Sequence, residues 1–168
     1  MKKLELYKEI YTYQIDAAGH VSNIVYIQWM EECRLKLLEE IGLPAHEVIK
    51  GGVIPVLVET KIKYKKALYL GEKVKIEVWI SELKNVSAVI DYRFYNSQNE
   101  LASIASQVGL FVNSSTIKPH RLTPEEREAF TKFLLTDWFI KWMNEWFQNK
   151  KPPTFLTVGG IKIILITV

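Results

Sequence analysis

A carboxylate lies just ahead of a helix-like segment in the stretch Asp16-Ala17-Ala18-Gly19-His20-Val21-Ser22-Asn23. The free N–H groups and the positive dipole end of a helix N-terminus suit an oxyanion that develops on a carbonyl. Gly19 would let a ligand approach the backbone closely. Asp16 would then attack a carbonyl directly or activate a water. The pattern is weak by itself, because an Asp before a helix is more often a turn or capping residue.

The elements around this segment follow a simple order. Residues 4–14 are predicted to form a first strand, and a long helix is predicted from residue 22 or 23 to about Ile41, before Gly42 and Pro44. The helix is apolar around most of its circumference, which is typical of a helix that a sheet wraps. Period-two alternation then predicts four antiparallel strands, at 56–65, 73–80, 86–94 and 101–113. The fold class is therefore α+β.

The C-terminal part begins with a helix that Thr123 caps, with Pro124 at its first position and Glu126 completing a capping box. We place one domain at 1–135 and a helical extension at 136–168, which ends in an apolar, strand-like run over 155–168. An exposed apolar stripe usually marks an interface, so we expect the extension to pack on the domain or on a neighbouring subunit. A membrane-surface anchor is the alternative. The stripe consists of Trp138, Phe139, Trp142, Met143 and Trp146.

Composition excludes several classes of protein. A net charge of +3 on 168 residues is too small and too evenly spread to indicate a nucleic-acid partner. The single cysteine, Cys33, cannot form an internal disulfide and is interpreted as a packing residue, and a cytoplasmic location is expected. No apolar run is long enough to span a membrane. The three histidines are not spaced as ligand pairs, so neither a metal site nor a metal cofactor is predicted.

The catalytic segment resembles the hotdog-fold thioesterases, in the 4-hydroxybenzoyl-CoA thioesterase and YbgC-like branch. The matching signature is Asp16, Gly19 and Tyr26, followed on the helix by Glu31 or Glu32 and then Arg34. The stretch 58–64 with Leu70-Gly71-Glu72 looks like the second strand of that family and the turn after it. Residues 116–119 with Leu122-Thr123-Pro124 resemble its C-terminal end. The resemblance covers roughly residues 4–134.

This resemblance implies a curled antiparallel sheet wrapped around one long central helix, in a homo-oligomer (dimer or tetramer) whose protomers pair edge to edge and share each active site. It implies hydrolysis of acyl-CoA to free acid and CoA without an organic or metal cofactor. Asp16 would be the nucleophile or general base, and the backbone N–H of Asn23 would polarise the thioester carbonyl. The resemblance places Gly19, His20 and Tyr26 in the acyl pocket. Glu59, Lys61 and Lys63 are predicted as further substrate-binding residues, while the simpler interpretation of Lys61 and Lys63 is a solvated strand face. The CoA phosphates would meet Lys61, Lys63, Lys65, Lys66, Lys118 and Arg121.

The sequence also departs from the family pattern. Gln14 stands where many relatives carry a second Asp, so it would have to orient the catalytic carboxylate as a neutral group. His20 and Asn23 favour a fatty acyl substrate over an aromatic one. Three alternatives stay open: a thioesterase acting on acyl-carrier protein, a non-catalytic acyl-CoA-binding protein, and a dehydratase that would need His20 paired with Glu31.

Overall fold

The structure is a computed structural model that describes residues 2–135, 154–158 and 161–165. Strand β1 (Leu4–Glu9) precedes the long helix α1 (Asn23–Glu40), and a short helix α2 (Ala45–Lys50) follows it. The remaining elements are strands β2 (Val53–Tyr64), β3 (Lys73–Leu83), β4 (Ser87–Tyr95) and β5 (Leu101–Asn113), helix α3 (Pro124–Thr131), and strands β6 (Thr154–Val158) and β7 (Ile161–Leu165).

One antiparallel sheet with the strand order β1-β3-β4-β5-β2 forms the main layer. On β5, the side chains of Ser103, Ala105 and Gln107 are buried on the face toward α1. Their partners on β2 are Tyr64, Ile62 and Thr60, which therefore share that inner face. A β-bulge between Leu57 and Glu59 leaves Val58 without a partner on β5.

The core lies between α1 and the inner face of the sheet. Trp29 and Met30 are almost completely buried, and the Trp29 ring packs against Phe94 from β4 with their centroids 6.5 Å apart. Cys33 is fully buried there, and burial raises the pKa of its thiol to about 12. This environment supports a packing role for Cys33, because the reactive form of cysteine is the thiolate. The predicted α+β hotdog architecture is confirmed.

Several details differ from the sequence-based predictions. Strand β1 ends at Glu9, and Thr12–Gln14 form a 3₁₀ turn, because the Gln14 side-chain oxygen accepts a hydrogen bond from the Tyr11 N–H at 2.9 Å. Helix α2 was missed. The cap of α3 is confirmed, with the Glu126 N–H donating to the Thr123 hydroxyl oxygen at 3.2 Å, although the helix ends at Thr131.

Helix α1 is not wrapped all round within one protomer. Most of its polar residues and a stripe of apolar ones, Ile24, Ile27 and Leu35, remain exposed on the side away from the sheet. The sheet covers only the stripe that includes Val25, Tyr26, Trp29, Met30 and Cys33. An apolar face of this kind is available for contact with another molecule.

The C-terminal unit is described by itself. Contacts divide the chain into Met1–Thr136 and Asp137–Val168. In the second unit β6 pairs antiparallel with β7, so the predicted strand-like run is a hairpin of two short strands. The predicted tryptophan stripe and the helix that would carry it lie outside the described residues.

Candidate active site

A tight loop presents Asp16 in front of α1. The Asp16 N–H donates to the His20 carbonyl oxygen at 2.8 Å, and the Gly19 N–H donates to the Asp16 carbonyl oxygen at 3.0 Å. The loop needs a left-handed residue, and Gly19 supplies it with φ of +79°. One carboxylate oxygen, Oδ1, accepts from the N–H groups of Ala18 at 2.8 Å and His20 at 3.3 Å. Asp16 thus stabilises its own loop through one oxygen, while Oδ2 accepts no hydrogen bond from the residues that the structure describes.

The loop is tied to the rest of the domain on both sides. The Val21 N–H donates to the Leu68 carbonyl oxygen and the Ser22 N–H to the Gln14 carbonyl oxygen, both at 2.9 Å. These bonds fix the point at which α1 begins. Ser22 precedes the helix in an extended conformation, and its side chain makes no capping hydrogen bond. The Val25 N–H donates to the Ser22 carbonyl oxygen at 3.0 Å, which leaves the N–H groups of Asn23 and Ile24 directed toward the space ahead of the helix.

That space is a cavity of about 250 Å³. It is bounded by the loop, by the start of α1, and by the end of β2 with the segment that follows. The lining residues are Asp16, His20, Val21, Asn23, Tyr26, Tyr64, Lys65, Lys66, Ala67 and Leu68. A carboxylate, a helix N-terminus, apolar side chains and two lysines thus meet around one concave surface, which is the composition of a small-molecule site.

Aromatic rings form much of the wall. The Tyr26 ring is buried and meets the Tyr64 ring edge-on, with 5.1 Å between their centroids. Burial raises the pKa of both phenols, so they are neutral hydrogen-bonding groups at physiological pH. The His20 ring packs edge-on against Tyr69 at 5.2 Å. One part of the cavity wall is therefore aromatic, and the remainder is largely polar.

The structure brings together one part of the predicted site. Asp16, His20, Asn23 and Tyr26 line one cavity, and Gly19 shapes the loop beside it. Glu59, Lys61 and Lys63 alternate with the inner-face residues of β2 and lie on the opposite face of the sheet, where Lys61 pairs with Glu59 at 2.8 Å. They do not line this cavity within one protomer, and their role in binding stays a prediction.

Tyr64 was missed as a site residue. The alternation of side chains along β2 places Tyr64 on the same face as Ile62, and this shared face is the sequence feature that could have identified Tyr64. Its position beside α1 depends on how the strands pair across the whole sheet, in which Tyr64 lies opposite Ser103 on β5.

Of two sequence-based hypotheses about neighbouring groups, one stays a prediction and one is not supported. The Gln14 side-chain oxygen accepts from the Tyr11 N–H and serves the 3₁₀ turn, and a role for the Gln14 amide N–H groups in orienting Asp16 stays a prediction. The dehydratase alternative needs His20 and Glu31 together, but His20 packs on Tyr69 while Glu31 pairs with Arg34. Arg34 also donates to the side-chain oxygen of Gln107 at 3.0 Å. Arg34 and Glu31, which both belong to α1, are thus paired with each other.

The structure describes no group of three or more metal-binding side chains close enough to hold an ion. None of its described helices is long and apolar enough to cross a membrane.

Comparisons with known proteins agree with this geometry. A family model described as the thioesterase-like superfamily matches residues 10–149. YneP of Bacillus subtilis, which is named as an acyl-CoA thioesterase, is 30% identical over 122 residues, covering 71% of this chain and 88% of YneP. The chloroplastic acyl-acyl carrier protein thioesterase ATL3 of Arabidopsis thaliana is 25% identical over 79% of this chain and 70% of its own. The DHNA-CoA thioesterase structure from Staphylococcus aureus matches with a TM-score of 0.73 and 25% identity, covering 90% of this chain and 98% of that one.

Proposed function

We propose, from the premise that this chain belongs to the thioesterase-like superfamily, that it hydrolyses acyl-CoA thioesters to the free acid and CoA. The observation that carries the proposal is the position of Asp16, which lies with one uncommitted carboxylate oxygen in a cavity at the N-terminus of α1. The family assignment is also supported by the similarity to YneP.

The geometry favours a simple hydrolytic sequence. The thioester carbonyl oxygen accepts a hydrogen bond from the Asn23 N–H, and the helix dipole stabilises the charge that develops on it. In one route Asp16 takes a proton from water as the water oxygen bonds to the carbonyl carbon, the carbon–sulfur bond breaks, and the CoA thiolate takes up that proton from Asp16. In the other route Asp16 itself bonds to the carbonyl carbon, the carbon–sulfur bond breaks, and the leaving thiolate takes up a proton from water. A second water then hydrolyses the mixed anhydride on Asp16, which releases the free acid and restores the carboxylate.

The acyl group is proposed to be fatty, because Val21, Tyr26 and Leu68 form an apolar part of the lining beside its polar residues, and because His20 and Asn23 stand in the motif that resembles enzymes of fatty acyl thioesters. An aromatic acyl group is the second candidate, supported by the ring pairs Tyr26–Tyr64 and His20–Tyr69 and by the similarity to a DHNA-CoA thioesterase. Release of free thiol from a panel of short, medium, long and aromatic acyl-CoAs, with matched acyl-carrier-protein thioesters, tests both. The absence of hydrolysis across the whole panel would leave only a binding function.

Lys65 is the lysine best placed to meet a CoA phosphate. It lines the cavity, and within the described part of the chain it makes no ion pair, whereas Lys66 pairs with Glu100 at 2.6 Å. We expect Lys65→Ala to raise KM for acyl-CoA roughly two- to fivefold, with a smaller change in kcat, because exposed ion pairs contribute little and are screened by salt. KM measured from low to high ionic strength should rise more steeply for the unaltered protein than for this variant.

Lys50→Ala on α2 is the matched control, since that lysine is exposed and far along the chain from the cavity. An equal change in KM for the two variants would show that Lys65 acts only through the overall charge of the protein.

The protein is proposed to act as a homo-oligomer. Strand β5 lies between β4 and β2, so the edge strands of this sheet are β1 and β2. The edge at β2 carries apolar side chains, because Leu57 and Val58 are 38% and 59% exposed. Unpaired strand edges and the exposed stripe of α1 favour association with another copy.

We expect light scattering coupled to size exclusion to give at least the mass of a dimer. Val58→Lys should shift the population toward monomer and lower activity, since a charge on a strand edge opposes edge-to-edge pairing. A fully active monomer would contradict this prediction.

A further inference from the structure

A second cavity, of about 40 Å³, lies beneath the second half of α1. Leu38 of α1, Pro55 of β2, Phe111 of β5 and Phe130 of α3 contribute apolar walls, and Arg34 is the one charged side chain among the described residues that line it. The Arg34 guanidinium is already engaged with Glu31 and Gln107. Apolar cavities of this kind remain dry and accept apolar groups.

Small residues create this space. Ala88 on β4 and Gly109 on β5 are direct partners in the sheet, and both line the cavity. A Cβ added to Gly109 would approach the Val56 carbonyl oxygen at 3.7 Å, which is an ordinary contact, and the backbone there is not left-handed. The conformation therefore does not require glycine at 109. A glycine inside a strand often marks a bulge or a close approach by a ligand or another backbone. Gly109 lies opposite Leu57 at the bulge of β2, and its missing side chain also leaves open the space between Ala88 and the apolar walls of this cavity.

The free edge of β2 relates this cavity to the active site of a second protomer. When β2 pairs antiparallel with β2 of a second copy over the whole of Val53–Tyr64, the centre of the pairing lies between Val58 and Glu59. Tyr64 then lies opposite the partner's Val53. Paired residues point to the same face of a sheet, and neighbouring strands lie about 4.7–4.9 Å apart. Tyr64 and Pro55 both belong to the inner face, because their partners Ser103 and Phe111 do. In this pairing, the wall of the Asp16 cavity therefore continues along the inner face to the partner's Pro55 and to the partner's second cavity behind it.

We propose that the acyl chain of a thioester held at Asp16 crosses this seam and ends in the partner's cavity, beneath the partner's Gly109. The space left by Gly109 and Ala88 then sets the longest acyl chain that the enzyme accepts. The inference rests on the proposed thioesterase function and on pairing through β2.

Substitutions at Gly109 test the chain-length role. Gly109→Val fills the cavity, and Gly109→Ala is the milder matched variant. We expect the ratio of long-chain to short-chain kcat/KM to fall by about tenfold or more for Gly109→Val, since one methylene in an apolar pocket is worth that much. The fall should be smaller for Gly109→Ala. Thermal melts establish that both variants are folded, and an unchanged ratio in folded Gly109→Val would overturn the proposal.

A mixed dimer tests whether the cavity acts across the interface. One chain carries Asp16→Asn and the other Gly109→Val, and two different affinity tags isolate the heterodimer. If the acyl chain crosses to the partner, the intact Asp16 of the second chain uses the open cavity of the first. Long-chain activity then returns to about half of the unaltered dimer, although each variant homodimer lacks it.

The outcomes of these experiments distinguish this inference from the proposed thioesterase function on which it rests. A heterodimer that hydrolyses only short chains would show that each chain uses its own cavity, and would overturn the crossing while leaving thioesterase activity intact. An active monomer with an unaltered chain-length profile would do the same. An unaltered protein that hydrolyses no thioester would overturn the proposed function, and this inference with it.

Discussion

Asp16→Asn is expected to lower kcat on the order of 100-fold or more while the fold is retained. The amide oxygen of asparagine can accept the same hydrogen bonds from Ala18 and His20 that Oδ1 of Asp16 accepts, so the loop keeps its shape. The amide cannot act as a nucleophile or take a proton from water. Thiol release at saturating acyl-CoA, with circular dichroism on the same sample, measures the two effects separately.

Glu82→Gln is the control for this variant, because Glu82 is an exposed carboxylate on β3 that forms an ion pair with Lys84 at 3.3 Å and does not line the Asp16 cavity. Its loss should leave kcat unchanged. If folded Asp16→Asn turned over at the unaltered rate, Asp16 would be a loop-capping residue alone, as the N-terminal position also allows.

Trp29→Ala is expected to lower the free energy of unfolding by about 3–5 kcal/mol. Trp29 is 2% exposed, and its ring packs against Phe94 and, at 5.7 Å, against Tyr26. Removing it leaves a cavity between α1 and the sheet, where the surrounding rings cannot fully relax. Because the stability of a domain is only about 5–15 kcal/mol, this loss is a large share of the total. Urea unfolding followed by circular dichroism measures it.

Lys36→Ala on the same helix is the comparison, since Lys36 is exposed and pairs with Glu39 at 2.6 Å. Its effect should remain within about 0.5 kcal/mol. Equal losses in the free energy of unfolding for the two variants would mean that burial of Trp29 does not hold α1 against the sheet.

The sequence predicted the elements that periodicity encodes. The bounds of α1 and the existence of β2 to β5 followed from the repeat of apolar residues and from Gly42 beyond the helix. The short helix α2 was missed because six residues are too few to show a periodic pattern. The early end of β1 was missed because it depends on one side-chain hydrogen bond, from the Tyr11 N–H to Gln14.

The order of the strands in the sheet could not be predicted from the sequence. Both β2 and β5 are long, alternating strands, and the pattern along either one is the same whether it lies inside the sheet or at its edge. Only the pairing of β5 with both β4 and β2 shows that β5 is an inner strand and that β2 is one of the two edge strands of this sheet, with β1 at the other edge.

The sequence by itself determined the local part of the site. The spacing of Asp16, Gly19 and Asn23 lies within one loop and one helix start, so a carboxylate at a helix N-terminus followed from neighbouring residues. Only the tertiary structure decided which distant residues complete it. Tyr64 and Lys65 line the cavity because antiparallel pairing with β5 brings the end of β2 beside α1, whereas Glu59, Lys61 and Lys63 face the other side. The physical reason is that a strand directs successive side chains to opposite faces, and which face meets the helix depends on pairing between segments far apart in the chain.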